Sequence, residues 1–382
     1  MKILAIETSC DDTAAAIVEK TADRVDVLAS TVSSQIALHA GYGGVVPNLA
    51  AREHSKNIAP VIEETLRIAQ LTPADIDLVA VTQGPGLIPA LLVGTTAAKT
   101  LSYLWRKPLI GVHHIEGHIY ANFISPQNIE YGISNIDKNS KDAEKRSDSI
   151  FNIQHSIFPL IALVVSGGHT QLMLMRDHFQ YEILGETQDD AVGECFDKVA
   201  RMLGLPYPGG PAVSRRADAF RNSNNQEKIV SFPRPMLESD NFNFSFSGLK
   251  TSVLYFLKKH DEEKKDAAFI DQVCHEFQEA VVDVLTSKTG RALEEYQPKT
   301  FVIAGGVSAN VRLRNRLRTM IESRFPDTEF LTPEFKYSLD NAAMIGAAAA
   351  FRYASLSDTE KSRLQDTWRT LDPNANLTLL KA

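Results

Sequence analysis

Two stretches of this chain carry one pattern, and no other feature limits its fold as much. Lys2 to Ile6 is an apolar run that reads as a buried strand. A polar turn follows, Glu7-Thr8-Ser9-Cys10-Asp11-Asp12, and Thr13 to Val18 reads as the partner strand. The pattern restarts at Leu160 to Val165, turns at Ser166-Gly167-Gly168-His169 and returns along Thr170 to Met175. Downstream of the first copy, Ile76 to Val81 runs into Gln83-Gly84-Pro85-Gly86 and a long helix through Leu87, Leu91, Leu92 and Leu101. Downstream of the second, Thr300 to Ala304 runs into Gly305-Gly306-Val307-Ser308-Ala309-Asn310 and a helix carrying Arg312, Arg314, Arg316 and Arg318. Strand, glycine turn and helix in succession mark an α/β chain, and the restart predicts two related halves. A length of 382 residues also suits two domains better than one.

Three further stretches fill in the outline. Tyr42-Gly43-Gly44-Val45-Val46-Pro47 is a glycine-rich loop, after which Leu49 to Ile68 sets Ile58, Val61, Ile62 and Leu66 on one side of a helix. Asn241 to Gly248 alternates phenylalanine with small polar residues, as a half-buried strand or an extended loop does. Asp137 to Asp148 is polar and nearly free of apolar residues, so it reads as a surface insertion too poor in apolar area to order itself.

The candidate chemistry lies in the turns. His114 and His118 stand four residues apart, so on a helix their imidazoles share a face, a workable spacing for two ligands on one metal ion. By itself the pair also fits exposed or capping histidines. Carboxylates and hydroxyls in the Glu7–Asp12 turn are costly to bury without work to do, although an exposed hairpin tip carries them freely. Strand, double glycine and helix N-terminus at Ala304 to Asn310 make the best phosphate cradle in the chain. There is no Walker lysine motif and no Gly-x-Gly-x-x-Gly. Asp340-Asn341 precedes a small-residue helix that the aspartate is well placed to cap.

Composition narrows the function classes. A net charge of −7 gives no global signature of a nucleic-acid binder, so any such contact must come from local patches. Arg312 to Arg318 is the densest of these; its plainer reading is a solvated helix face, and the alternative is that Arg314 and Arg318 meet tRNA phosphates. The three cysteines, Cys10, Cys195 and Cys274, form no metal-finger spacing, and a reducing compartment suits them. The apolar start meets Glu7 too early for a signal peptide, and no apolar run approaches a membrane span. A cytoplasmic protein that does not enter membranes is the expectation.

Taken together, the quoted stretches resemble the tRNA threonylcarbamoyladenosine transferase family of bacterial TsaD type. Ile6 to Asp11, Tyr42 to Pro47, Gly84 to Leu87, His113 to His118, Val165 to Thr170, Phe196-Asp197-Lys198, Tyr207 to Pro211, Phe244 to Lys250 and Ala304 to Asn310 occur in family order. The resemblance implies a two-lobed actin-like fold with a ligand and metal cleft between the lobes. It places residues 1–124 and 342–382 in one lobe, 158–341 in the other and the insertion at 125–157. It further implies that His114, His118 and Asp340 bind one divalent metal, iron ahead of zinc. Val164, Val165, Ser166, Gly167, Gly168, Asp197, Gly210 and Asn310 would contact the adenylate ligand, threonylcarbamoyl-AMP, with ATP or ADP as occupants of the same site. The implied reaction transfers threonylcarbamoyl to N6 of adenosine 37, reached through the tRNA anticodon loop, in tRNAs reading codons that begin with A. Asp11 and Asp12 are the candidates for the catalytic base, and the family's usual Asp-Glu is Asp11-Asp12 here. TsaB-like and TsaE-like partner proteins are implied as well, and a homodimer is left open. The rival readings are an actin-like ATPase and a metal-dependent hydrolase or silent scaffold of the same fold. A metalloprotease is disfavoured because Ile115 stands where His-Glu-x-x-His needs glutamate.

Overall fold

The computed structural model describes residues 1–22, 24–125, 157–223, 230–263 and 266–379, so the predicted insertion falls almost wholly outside the described residues. The strands, in chain order, are β1 (Lys2–Glu7), β2 (Asp12–Lys20), β3 (Val25–Ser34), β4 (Leu78–Gly84), β5 (Leu109–His113), β6 (Leu160–Val165), β7 (Thr170–Asp177), β8 (Gln180–Glu186), β9 (Thr300–Ala304) and β10 (Glu329–Leu331). The α-helices among the described residues are α1 (Ile36–Ala40), α2 (Pro47–Ala69), α3 (Ile88–Trp105), α4 (His114–Tyr120), α5 (Val192–Met202), α6 (Gly209–Arg221), α7 (Ser247–Lys259), α8 (Ala267–Tyr296), α9 (Val311–Arg324), α10 (Phe335–Ser338), α11 (Ala342–Ser355) and α12 (Asp358–Arg363).

The chain divides into two units. One comprises Met1–Ser34, Pro47–Ile157 and Asp340–Ala382, the other Gln35–Val46 and Phe158–Leu339. In the first unit the strands stand in the order β3-β2-β1-β4-β5. β1 pairs antiparallel with β2 and parallel with β4, and both runs are apolar because the sheet is covered on both faces. Leu4, Ile6, Ala15 and Ile17 face the side where Val61 and Ile62 of α2 pack, with Ile58 and Leu66 beside them. That is the helix side predicted from spacing. On the other face α11 lies so close that a Cβ on Gly346 would meet Val18 Cγ2 at 2.5 Å.

The second unit repeats the plan. Its order, β10-β9-β6-β7-β8, becomes that of the first unit when β6 is matched to β1, β7 to β2, β8 to β3, β9 to β4 and β10 to β5. The senses agree too: β6 is antiparallel to β7 and parallel to β9. The restart at Leu160 is therefore a repeat of topology, and two such halves make the actin-like architecture the resemblance implies. Phe242, Phe244 and Phe246 turn inward to the core of this unit along an extended loop; only Phe244 makes a bridge, with Thr187.

Three of the four arginines of the run are engaged within the protein, Arg314 among them, against the phosphate contact expected of it. Arg312 and Arg316 pair with Glu279 and Asp283 of α8, at 2.7 Å and 3.1 Å. Arg314 is 7% exposed, donates to Ser308 O and Ser338 Oγ, and lies 4.3 Å from the Phe335 ring centroid. Helical spacing shows which side chains share a face but not what docks there, and acidic α8 does. Arg314→Ala should therefore lower stability by about 2–4 kcal/mol, from two charge-assisted hydrogen bonds and the packed stem, as measured by chemical denaturation. The salt dependence of tRNA binding should be unaltered.

Candidate functional site

The histidine stretch divides its labour. β5 ends at His113, whose Nδ1 accepts from Ile115 N at 3.1 Å and so caps α4, while its Nε2 lies 3.0 Å from Leu377 O. The cap is thus His113, not either member of the His114/His118 pair for which capping was the alternative. The next two are not exposed: His114 is 8% and His118 1% accessible. α4 is buried all round, packed on the alanine-rich α11, and a Cβ on Gly117 would come within 2.8 Å of Ile345 Cδ1.

This packing brings three ligand atoms together. His118 Nε2 lies 3.1 Å and His114 Nε2 3.5 Å from Asp340 Oδ1. All three groups offer atoms within 4.8 Å of one another, and among the described residues they form the one cluster of histidine, cysteine and acidic groups placed to hold a metal. Ligands about 2.1 Å from a shared ion stand roughly 3.0–3.4 Å apart, so the spacing suits a cation. Asp340 is also not the helix cap its position suggested. Asn341 takes that role, its side chain accepting from Met344 N at 2.9 Å.

The surroundings fit the same cation. His114 Nδ1 lies 3.1 Å from Glu7 Oε2 and 3.2 Å from Ser9 Oγ, an arrangement that directs the opposite nitrogen to Asp340. Glu7 is fully buried, and it also accepts from Ser9 N at 2.5 Å and Thr82 Oγ1 at 2.6 Å. Burial opposes charge on His114, but the Asp340 and Glu7 carboxylates outweigh it and raise its pKa to about 9. His118 is pushed the other way, by burial and by the charge on His114, and keeps a lone pair. Its Nδ1 is buried without a hydrogen-bond partner, and its Nε2 faces Asp340 at 3.1 Å without hydrogen-bond alignment, as a ligand nitrogen would. Two imidazoles and one carboxylate are a donor set for iron or zinc that leaves positions open.

The predicted acidic candidates differ from each other. Asp12 opens β2, and one of its carboxylate oxygens is buried without a hydrogen-bond partner. Burial first, then Asp11, Asp340 and Glu7, push its pKa up to about 7, against a hydrogen bond from Ser34. Asp11 is half-buried beside it. His54, which sequence reasoning passed over, grips both sides of this turn: Nδ1 lies 2.8 Å from Thr13 Oγ1 and Nε2 3.0 Å from Cys10 O. The three cysteines are free thiols.

The residues expected to hold the adenylate form a linked series in the second unit. Gly167 and Gly168 are exposed and open, whereas the Val164 and Val165 side chains are fully buried in the sheet and offer no surface. Ser166 O accepts from Gly193 N at 3.1 Å, near the start of α5. Asp197 on α5 accepts from Gly209 N at 2.7 Å, and Gly210 beside it has open space where a side chain would stand. Asn310 Oδ1 caps α9 through Leu313 N, while its Nδ2 donates to Ser214 Oγ of α6 and Gln278 Oε1 of α8. Gly305 has φ +86° and closes the series against Val165 O, which a Cβ would approach to 2.5 Å. The Asn310 side chain is thus fully engaged in holding helices together.

No described helix is long and apolar enough to cross a membrane. The model of the family "TsaD: tRNA N6-adenosine threonylcarbamoyltransferase" matches residues 26–133 and 148–347. The tRNA N6-adenosine threonylcarbamoyltransferase of Halalkalibacterium halodurans is 45% identical over 92% of this chain and 91% of its own length. That of Bacillus subtilis is 44% identical with the same coverage, and that of Listeria monocytogenes serovar 1/2a is 44% identical over 99% of this chain and 96% of its own. Among solved structures, HypF from T. kodakarensis is 12% identical with TM-score 0.55, covering 95% of this chain and 49% of that one. Full-length HypF in its phosphate- and nucleotide-bound form is 14% identical with TM-score 0.54, covering 94% and 47%. At such identities the likeness is one of fold. The relatives, matched almost end to end, show that this chain belongs to the TsaD family of tRNA N6-adenosine threonylcarbamoyltransferases.

Proposed function

We propose that this chain forms N6-threonylcarbamoyladenosine at adenosine 37 of tRNAs that read codons beginning with A, using threonylcarbamoyl-AMP as donor. The observation that carries the site assignment is the His114–His118–Asp340 cluster with Glu7 behind it. These three residues would hold one divalent ion, iron ahead of zinc. Such an ion, when bound, supplies Lewis-acid polarisation of the donor carbonyl.

The rest of the chemistry falls to the chain. N6 of adenosine forms a bond to the carbamoyl carbon, the bond from that carbon to the phosphate oxygen breaks, and AMP leaves. An exocyclic amine is a poor nucleophile, and one of its protons must be lost. Asp12, with a carboxyl near pH 7 and one unpaired oxygen, is the better placed of the two aspartates to take it. Gly167, Gly168 and the backbone at Gly210 offer open N–H groups to the adenylate, and the same loops would accept ATP or ADP. The nucleophile sits in the anticodon loop, where unstacked bases are accessible to protein.

The metal-loaded chain should be incubated with threonylcarbamoyl-AMP and unmodified tRNA, and the tRNA digested to nucleosides. The expected result is the modified nucleoside, mapped to position 37. ATP hydrolysis without modified nucleoside, in the presence of TsaB-like and TsaE-like proteins as well as in their absence, would favour the actin-like ATPase reading.

A further inference from the structure

We infer that the ion pair between buried Glu116 and half-buried Arg352 is a positioning device that helps set the register of α4 on α11, and with it the geometry of the metal ligands. This rests on the reading of His114, His118 and Asp340 as a metal site.

The ligands sit on separate elements. Both histidines ride on α4, while Asp340 lies two residues before α11. The set is complete only when the two helices dock in one register. A slip of one residue along a helix is about 1.5 Å, whereas a metal tolerates roughly 0.2 Å in ligand distance. α4 meets α11 closely at Gly117, where a Cβ would come within 2.8 Å of Ile345 Cδ1 and 3.1 Å of Met344 Cγ. Tyr120 packs on Phe351 with ring centroids 5.1 Å apart, a contact that fixes separation but tolerates rotation.

Glu116 adds a directional contact between the two helices. It lies between the two histidines, is 0% exposed, and its Oε1 accepts from Arg352 at 2.5 Å, near the far end of α11 from Asp340. A carboxylate in such a place is costly unless paired, so registers that separate the two groups are disfavoured strongly, as buried polar pairs do in other helix interfaces.

The test is cobalt binding to the metal-stripped full chain, read by affinity and by the visible d–d spectrum, with melting temperature measured alongside. Arg352→Met should weaken Co2+ binding about tenfold or more and alter the spectrum, and Arg352→Lys should restore most of both. Because Arg352→Met strands a buried carboxylate, the double variant Glu116→Gln, Arg352→Met provides a neutral pair. It should fold yet show the same weakened, altered cobalt site. Wild-type affinity and spectrum in the folded double variant would overturn the inference. So would failure of both variants to fold, since the pair would then be a prop of the unit and not a register device. If the wild-type chain takes up no stoichiometric cobalt, the metal reading itself fails.

Discussion

Asp340→Asn should empty the metal site and leave the fold intact. The usual structural duty of an aspartate before a helix is absent here, because Asn341 holds the cap of α11 through Met344 N. What Asp340 does instead is place Oδ1 3.1 Å from one imidazole nitrogen and 3.5 Å from another. A neutral amide is a far poorer ligand for a hard or borderline cation than a carboxylate. Metal affinity should therefore fall by more than the roughly 10- to 100-fold typical of losing an outer-shell partner, and transfer by at least about 100-fold. The metal-free melting temperature should move by no more than about 2 °C, the small change expected where no cap is lost. Elemental analysis and thermal melts on the same preparation check both halves. A stably folded variant with full metal and full activity would remove Asp340 from the site.

Asp12→Asn should make the metal-stripped protein more stable and the loaded enzyme nearly inactive. Burial, with Asp11, Asp340 and Glu7 nearby, raises the Asp12 carboxyl to about 7 from a usual value of 3.8. Between those two values the folded chain keeps a proton that the unfolded chain releases. The stability tied to that proton is complete below the lower value, declines as pH rises through the window, and is lost above the upper one. Asparagine never ionises, so the variant should match wild type near pH 4. At pH 8 it should exceed wild type by about 4 kcal/mol. Transfer should fall by about 10²- to 10⁴-fold, the usual contribution of a general base. Denaturation curves at the two pH values, with nucleoside yields, measure both effects. Unchanged transfer would clear Asp12 of the role and leave Asp11 to be tested.

What could be read from residues alone follows the range of the forces involved. The repeat was legible because strand, polar turn and strand are local patterns, and Lys2 and Leu160 each open a β-meander whose pairing matches the other. The helix side of Ile58, Val61, Ile62 and Leu66 was legible for the same reason. His114, His118 and Asp340 entered as a set only through resemblance, since 222 residues separate His118 from Asp340 and no spacing rule spans that distance. Glu7 was visible as a costly carboxylate in a turn, but its partner His114 lies 107 residues away. The tandem Asp340-Asn341 gave two candidates for one cap, and backbone geometry chose the second. Arg314 misled because a helix face shows its charge in the sequence and hides its neighbours: the acidic groups of α8 and the carbonyl of Ser308 absorb what looked like a phosphate-binding run.

The central claim is that one ion is held by two imidazoles and a carboxylate, all from a single unit of this chain. X-ray absorption at the metal edge of the purified, iron- or zinc-loaded protein tests it most directly. One metal per chain is expected, with a first shell of nitrogen and oxygen at about 2.0–2.2 Å, outer-shell scattering from two imidazoles and no sulfur. His118→Ala should reduce that scattering to one imidazole. A sulfur shell, a single imidazole in the wild type, or a spectrum unmoved by His118→Ala would contradict it.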